Sequence, residues 1–381
     1  MSDQLSERKI HFYNLDVLRF IAAFMVVIFH GWHAYCGWFR LPTPLAVPDG
    51  KDWTMAGLYV NRLVENFDLG VDLFFLISGF LITYLLMQEK ALGGKVAIGK
   101  FYVRRALRIW PLYFLIIALA PWLCQLNEQA APAYKWALTF TVNYEVISTK
   151  AWHYPFGHFW SIGVEEHFYL FWPLLLAFIP NKKLPYLFAL VIFGSIFFRV
   201  FMYFTSQEWY NHVFLNTLSR VDEMAIGAVV AWLHFRKPLI INVPKLFRIL
   251  FYIVAIFVFA VEANKVVSEP GPVAIKKYTF LFIFLFGFLN YMFNPDAFFN
   301  FKKKNPLHYL GKISFGIYVY HNLFFTYIAK EIFYPRQWSS FYGFYGLYLG
   351  GVIVIAIISY ELIERPILKL KDRFAIIKTY R

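Results

Sequence analysis

The sequence predicts an all-α polytopic membrane protein of about ten transmembrane helices, and three observations predict it. The chain is 60% hydrophobic and only 16% charged, with mean hydropathy +0.52, a balance that excludes an ordinary soluble domain. Apolar runs of roughly 20 residues, the length needed to cross a bilayer, recur along the 381 residues. The runs lack the two-residue alternation of barrel strands. Backbone in lipid must bond within its own segment, so helices are favoured. The many Phe (45), Tyr (26) and Trp (12) residues suit lipid-facing surfaces and interfacial belts.

In order, the spans run roughly over 15–35, 67–88, 109–126, 158–179, 184–204, 216–235, 246–262, 277–293, 309–329 and 341–362. The first follows a polar tail of mixed charge (Asp3, Glu7, Arg8, Lys9) and is itself long enough to cross, so no cleavable leader is expected. A large loop, 36–66, separates it from the second and opens with Pro42, Pro44 and Pro48. The segment EKALGGKVAIGKFYVRRALR, 89–108, reads as the densest basic loop and leads into the third span. The stretch 134–148 is apolar but short, and carries Asn143 and Glu145. It is expected to be a re-entrant or interfacial helix.

Charge decides orientation. With the N-terminus inside, inner segments hold 23 Lys and Arg against 9 in outer ones, counting Arg248 and Lys277 with the segments they border. That bias places both termini in the cytoplasm. The organisation expected is a cytoplasmic tail (1–14), a membrane domain (15–362) and a basic cytoplasmic tail (363–381) against the inner leaflet. The net charge of +14 does not point to nucleic acid, because the basic residues lie in the gaps between apolar runs. They read as topology signals and contacts to membrane lipids. The two cysteines, Cys36 and Cys124, exclude a disulfide scaffold and are expected to be unpaired.

Several ionisable groups lie inside the spans, where they are costly and usually functional. Arg19 and His30 sit in LDVLRFIAAFMVVIFH. Eleven steps of about 100° return to the same helix face, roughly 16 Å further along. A lone buried histidine is ordinarily a packed, hydrogen-bonded one; Arg19 on its face and Asp16 one turn earlier favour a general base. Arg104, Arg105 and Arg108 precede Trp110-Pro111, with Arg105 and Arg108 expected on one face. They anchor the inner surface or clamp phosphates. Glu165 and Glu166 lie well inside the fourth span, and His158 and Ser161 project from nearly the same face as Glu165. Asp72 and Ser78 in the second span, Arg220, Asp222 and Glu223 in the sixth, Arg199 in the fifth, and Tyr318 and His321 in the ninth complete the set. Pairing of Arg199 or Arg220 with Asp72, Glu165, Glu166 or Asp222 is the structural explanation of these charges. No ligand spacing for a metal appears, nor a phosphate-binding glycine loop or nucleophile elbow.

Taken together, the arginine–ten residues–histidine spacing, GVDLFFLISGFLIT, FYVRRALRIWPLYF, FWSIGVEEHFYLFWP, RVDEMAIGA, GKISFGIYVYH and YELIERP resemble the membrane acyltransferase 3 family, in the family's order over residues 15 to 366. The resemblance implies a ten-helix core that O-acylates cell-surface glycans and some small molecules, here a stand-alone core without the appended hydrolase-like domain of many members. It implies an acyl-CoA co-substrate, most often acetyl-CoA, arriving from the cytoplasm, and a bacterial inner-membrane location. His30 matches the family's essential histidine, Arg19 its partner arginine, Arg105 and Arg108 the paired inner arginines, and Glu165 and Glu166 the carboxylates of the fourth span.

The function expected is transfer of an acyl group from cytoplasmic acyl-CoA to a hydroxyl of an extracytoplasmic glycan or glycolipid. His30, Glu165 and Glu166 form the catalytic set, and Arg19, Arg104, Arg105 and Arg108 the donor site, with no metal. Asp72, Ser78, His158, Arg220, Asp222, Tyr318 and His321 form the acceptor site. The rival is a proton-coupled transporter or flippase using the same buried groups as a relay, against which the chain lacks clear two-half symmetry.

Overall fold

A computed structural model describes residues 12–38, 55–126, 128, 130, 132–261, 270–297, 305–333 and 341–374. The N-terminal tail, most of the loop 36–66 with its three prolines, and the last residues of the C-terminal tail lie outside the described residues. The helices are α1 Tyr13–Trp38, α2 Met55–Glu65, α3 Gly70–Gly93, α4 Ile98–Leu126, α5 Tyr134–Leu138, α6 Val142–Thr149, α7 Trp160–Phe178, α8 Leu184–Thr205 and α9 Trp209–Leu215. They continue as α10 Thr217–Arg236, α11 Lys245–Val261, α12 Pro270–Phe293, α13 Pro306–Lys312, α14 Ser314–Phe324, α15 Lys330–Phe333, α16 Phe341–Ser359 and α17 Arg365–Lys371. Among the described residues there is no strand, and each of the ten expected spans falls on helix.

The protein is an all-α polytopic membrane protein. Among the described residues, five helical stretches, 14–37, 59–93, 98–126, 181–205 and 342–371, are long and apolar enough to cross a bilayer by length and composition. On α8, Tyr186, Leu190, Phe193, Phe197 and Phe204 are all more than two-thirds exposed. At spacings of three, four and seven residues they form one face, which lipid covers at no cost.

One element differs from the sequence expectation, and a second, expected as one short non-spanning helix, is divided in two. The basic segment 89–108 is not a loop: α3 continues to Gly93 and α4 begins at Ile98, so Arg104, Arg105 and Arg108 are helical. Lys, Ala, Leu and Arg are strong helix formers, and only the short stretch 94–97, opened by Gly94 at φ +72°, breaks the run. The segment 134–148 folds as the two short helices α5 and α6, neither able to span. Both cysteines are free and buried.

The chain forms two compact units. One contains residues 75–239 and 358–374, and so the second part of α3 and helices α4 to α10. Here α3 and α10 meet backbone to backbone. A Cβ on Gly79 would lie 1.9 Å from the carbonyl oxygen of Met224. Without an aqueous driving force, such close approach of small residues is what lets helices associate in lipid. Helix α7 is tied to α3 by the bond from Trp172 Nε1 to Thr83 Oγ1 (2.7 Å). Lys90 Nζ donates to the carbonyls of Leu176 (2.7 Å) and Ile179 (3.0 Å), capping α7's C-terminal end with a cation.

The other unit contains residues 13–74 and 240–357. Its α1 is held at both ends. A Cβ on Gly311 of α13 would lie 2.0 Å from the Asp16 carbonyl oxygen, so that crossing also needs glycine. Further along, Tyr345 and Tyr348 of α16 donate to the carbonyls of Ile28 and Val27, each at 3.2 Å. Trp32, Cys36 and Val64 form a small core, and Trp32 Nε1 donates to Asn61 Oδ1 at 2.6 Å. A second core joins Leu69, Phe259 and Phe280, where Asn66 donates to the Phe259 carbonyl at 2.8 Å.

Candidate active site

Within the unit that contains α1, the structure gathers His30, Tyr318 and His321. His30 Nδ1 lies 2.9 Å from the Val26 carbonyl, one turn back on α1. A carbonyl only accepts, so Nδ1 carries the proton and the basic lone pair of the neutral ring is on Nε2. The His321 ring lies 4.8 Å from that of His30, centroid to centroid. His321 Nδ1 donates to the Tyr318 carbonyl, which sets the same tautomer. The Tyr318 ring is 5.5 Å from His321 and 6.4 Å from Phe74. Arg19 is buried three turns before His30 on α1, and Asp72 is buried in the first turn of α3, where the helix dipole favours a carboxylate. One turn beyond His30, His33 Nε2 lies 3.2 Å from Glu65 Oε1.

In the other unit, the acid pair of α7 lies in a network of polar and aromatic contacts with α3 and with Arg105 and Trp110 of α4. Ser78 donates to Glu165 Oε1 at 2.6 Å, and Tyr169 donates to Ser78 Oγ at 3.1 Å. The Arg105 guanidinium lies over the Tyr169 ring, 4.0 Å from its centroid. Trp110 Nε1 donates to Glu166 Oε2 at 3.3 Å. Arg105 is only 8% exposed, and its Nε and Nη2 are buried with no hydrogen-bond partner among the described residues, as is Glu166 Oε1. A buried cation with two donors unused by hydrogen bonds is costly by itself.

The remaining expected residues do not join this set. Arg104 pairs with Glu89 and donates to the Phe374 carbonyl at 2.9 Å. Arg105 and Arg108 do not act as one fork. They are about 60° apart around the helix axis, and Arg108 acts on Glu364 and Tyr360, beyond α16, while Arg105 reaches α7. His158 is buried, but on a 3₁₀ turn (Gly157–Phe159) before α7, so the α-helical spacing that aligned it with Glu165 does not apply; Ser161 stays on α7. Asp222 is paired with Arg199 at 2.8 Å, both buried, one of the structural pairings the sequence suggested. Arg220 Nε lies 3.4 Å from Glu223 Oε1, and its guanidinium is surrounded by Phe75, Trp160 and Phe214 at 5.5–5.7 Å.

Sequence reasoning missed Tyr169 and Trp110 as members of the site. Tyr169 carried a usable signal: it lies four residues after Glu165, on the same α7 face.

A family model described as an acyltransferase domain, acyltransferase 3, matches residues 12–361. The chain belongs to this acyltransferase family. A Staphylococcus aureus (strain COL) protein named "Putative O-acetyltransferase" is 26% identical over 386 residues, covering 93% of this chain and 57% of its own length. O-acetyltransferase OatA of S. aureus (strain NCTC 8325) is 26% identical over 333 residues, covering 79% of this chain and 52% of its own length. The chain thus spans little more than half the length of these relatives. No solved structure matches it.

Proposed function

We propose that this chain is an integral membrane O-acyltransferase, an O-acetyltransferase by the names of its relatives. It takes the acyl group of a cytoplasmic acyl-CoA and delivers it to a hydroxyl of an extracytoplasmic glycan or glycolipid. The observation that carries the reading is the 2.9 Å approach of His30 Nδ1 to the Val26 carbonyl, which assigns the proton to Nδ1 and the basic lone pair to Nε2. In the reaction, Nε2 takes the hydroxyl proton as the oxygen attacks the thioester carbonyl. The C–S bond breaks, and the leaving thiolate takes the proton back from the imidazolium. His321, beside His30, orients the acceptor together with Tyr318.

Arg105 supplies fixed positive charge for the phosphates of CoA, a role its vacant buried donors support. Arg108 adds charge from the same helix. Glu165 and Glu166 hold the α7 side of that site through Ser78 and Trp110. Arg104 and Asp222 support the fold through their ion pairs. The reading includes ten crossings of a bacterial cytoplasmic membrane, both termini inside, with residues 15–362 as the membrane domain. This orientation puts Arg19 near the cytoplasmic surface and His30 toward the outer half.

The test compares base-labile acetyl esters on surface glycans of cells producing the wild type or His30→Ala, with acetyl-CoA binding measured on the purified proteins. His30→Ala is expected to remove the esters while binding stays within about twofold. Full acetylation by His30→Ala, or movement of the acceptor across the membrane without acyl-CoA, overturns the assignment.

A further inference from the structure

Outside the candidate active site, a cavity of about 630 Å³ opens where α11 begins, lined by Asn242, Val243, Pro244, Lys245, Arg248 and Asp296. Its walls are built from fixed backbone. Ile241 N–H donates to the Phe293 carbonyl (3.0 Å), which ties the approach to α11 to the end of α12. Asn294 Nδ2 donates to Asn290 Oδ1 (2.7 Å), and Asn294 Oδ1 accepts from the Asp296 N–H (2.9 Å). The Arg248 guanidinium closes the wall by donating to the Asp296 carbonyl.

The charges in the cavity are unequal in effect. Arg248 is 4% exposed, so its charge acts through a low dielectric, whereas the Asp296 side chain is exposed and screened by water. Lys245, one turn before Arg248, is exposed at the rim. The local field therefore favours an anion. Beside the cavity, the outer face of α11 is an uninterrupted apolar stripe: Leu246, Phe247, Leu250, Ile253, Val254 and Phe257 are each more than half exposed.

We propose that this cavity binds the headgroup phosphate of an anionic phospholipid, with the acyl chains lying along the α11 stripe. A phospholipid is the ligand class that satisfies both halves, because a soluble anion leaves the stripe unused. By the charge bias of the chain the cavity faces the cytoplasmic leaflet, where basic pockets beside membrane helices meet anionic lipid. The inference is independent of the acyl-transfer reading and of Arg105.

The full chain, purified in detergent, is titrated with dioctanoyl phosphatidylglycerol, dioctanoyl phosphatidylcholine or inorganic phosphate, and adducts are counted by native mass spectrometry. One phosphatidylglycerol is expected to bind in preference to phosphatidylcholine, with inorganic phosphate weaker than either. Lys245→Gln, at an exposed position, is expected to weaken phosphatidylglycerol binding about fivefold, and Arg105→Ala to leave it unchanged. Equal binding of the two lipids, an unaltered Lys245→Gln variant, or loss with Arg105→Ala overturns the proposal. Inorganic phosphate binding as tightly as phosphatidylglycerol makes the cavity a free-anion site and overturns the lipid assignment.

Discussion

Tyr169 is the residue whose replacement most directly tests the proposed donor site. Its ring lies 4.0 Å under the Arg105 guanidinium, and its hydroxyl leads through Ser78 to Glu165. A desolvated cation–aromatic contact is worth about 2 kcal/mol, and Arg105 is buried. Most of that energy is present with and without bound donor, so it appears as stability of the α4–α7 contact. The part that appears in binding is the cost of ordering a released arginine side chain, about 1 kcal/mol. Tyr169→Leu is therefore expected to weaken acetyl-CoA binding about fivefold while leaving the protein folded. Tyr169→Phe keeps the ring and loses one neutral hydrogen bond, so binding is expected to stay within about twofold of wild type. Arg105→Ala should weaken binding more than either, and Tyr169→Leu should add nothing to it. The measurement is equilibrium binding of acetyl-CoA to the purified variants. Unchanged binding by Tyr169→Leu, with Arg105→Ala impaired, refutes the positioning role alone. Unchanged binding by Arg105→Ala refutes the donor site itself.

Three further outcomes follow from the packing and the buried charges. Gly79→Ala places a Cβ against the Met224 backbone and is expected to cost about 1–3 kcal/mol or more, read as a lower thermal midpoint in detergent, whereas alanine at Gly93, which has open space around it, should be tolerated. Arg199→Ala removes the buried cation that pairs with Asp222 and is expected to destabilise by about 3–5 kcal/mol; Arg199→Met with Asp222→Leu should recover most of that in the same melts. Burial raises Glu145 above the ordinary carboxylate value, with His153 acting in the opposite direction. The protonated acid is thus favoured in the fold. The stability this contributes is full below the ordinary carboxylate value and lost as pH rises through the raised one. Glu145→Gln should flatten the pH dependence of the thermal midpoint across that interval.

Fold class and the order of the helices were legible in the sequence because both rest on local properties. An apolar run must close its own hydrogen bonds in lipid, so its length and composition already make it a helix. The same locality set Arg19 and His30 eleven steps apart on α1 and placed Glu165 and Glu166 inside α7. Departures were local too: the arginines of 104–108 were helical because only the short stretch 94–97 interrupts the run, and His158 left its expected face because α7 starts two residues later.

What each buried charge does was decided by tertiary structure alone. Arg104, Arg105 and Arg108 are near neighbours of one residue type, yet one pairs with Glu89, one stacks on Tyr169 and one faces the last helix. Their partners lie on other helices, and Ser78 meets Glu165 across 87 residues of chain. In a low-dielectric interior the cost of an unpaired charge makes the nearest partner decisive. Which partner is nearest follows from how the helices pack, including glycines at crossings such as Gly79 and Gly311. The sequence by itself determined a family of membrane helices bearing a base, a set of arginines and a pair of acids; packing assigned Arg104 and Arg199 to the fold and left Arg105 with donors to spare.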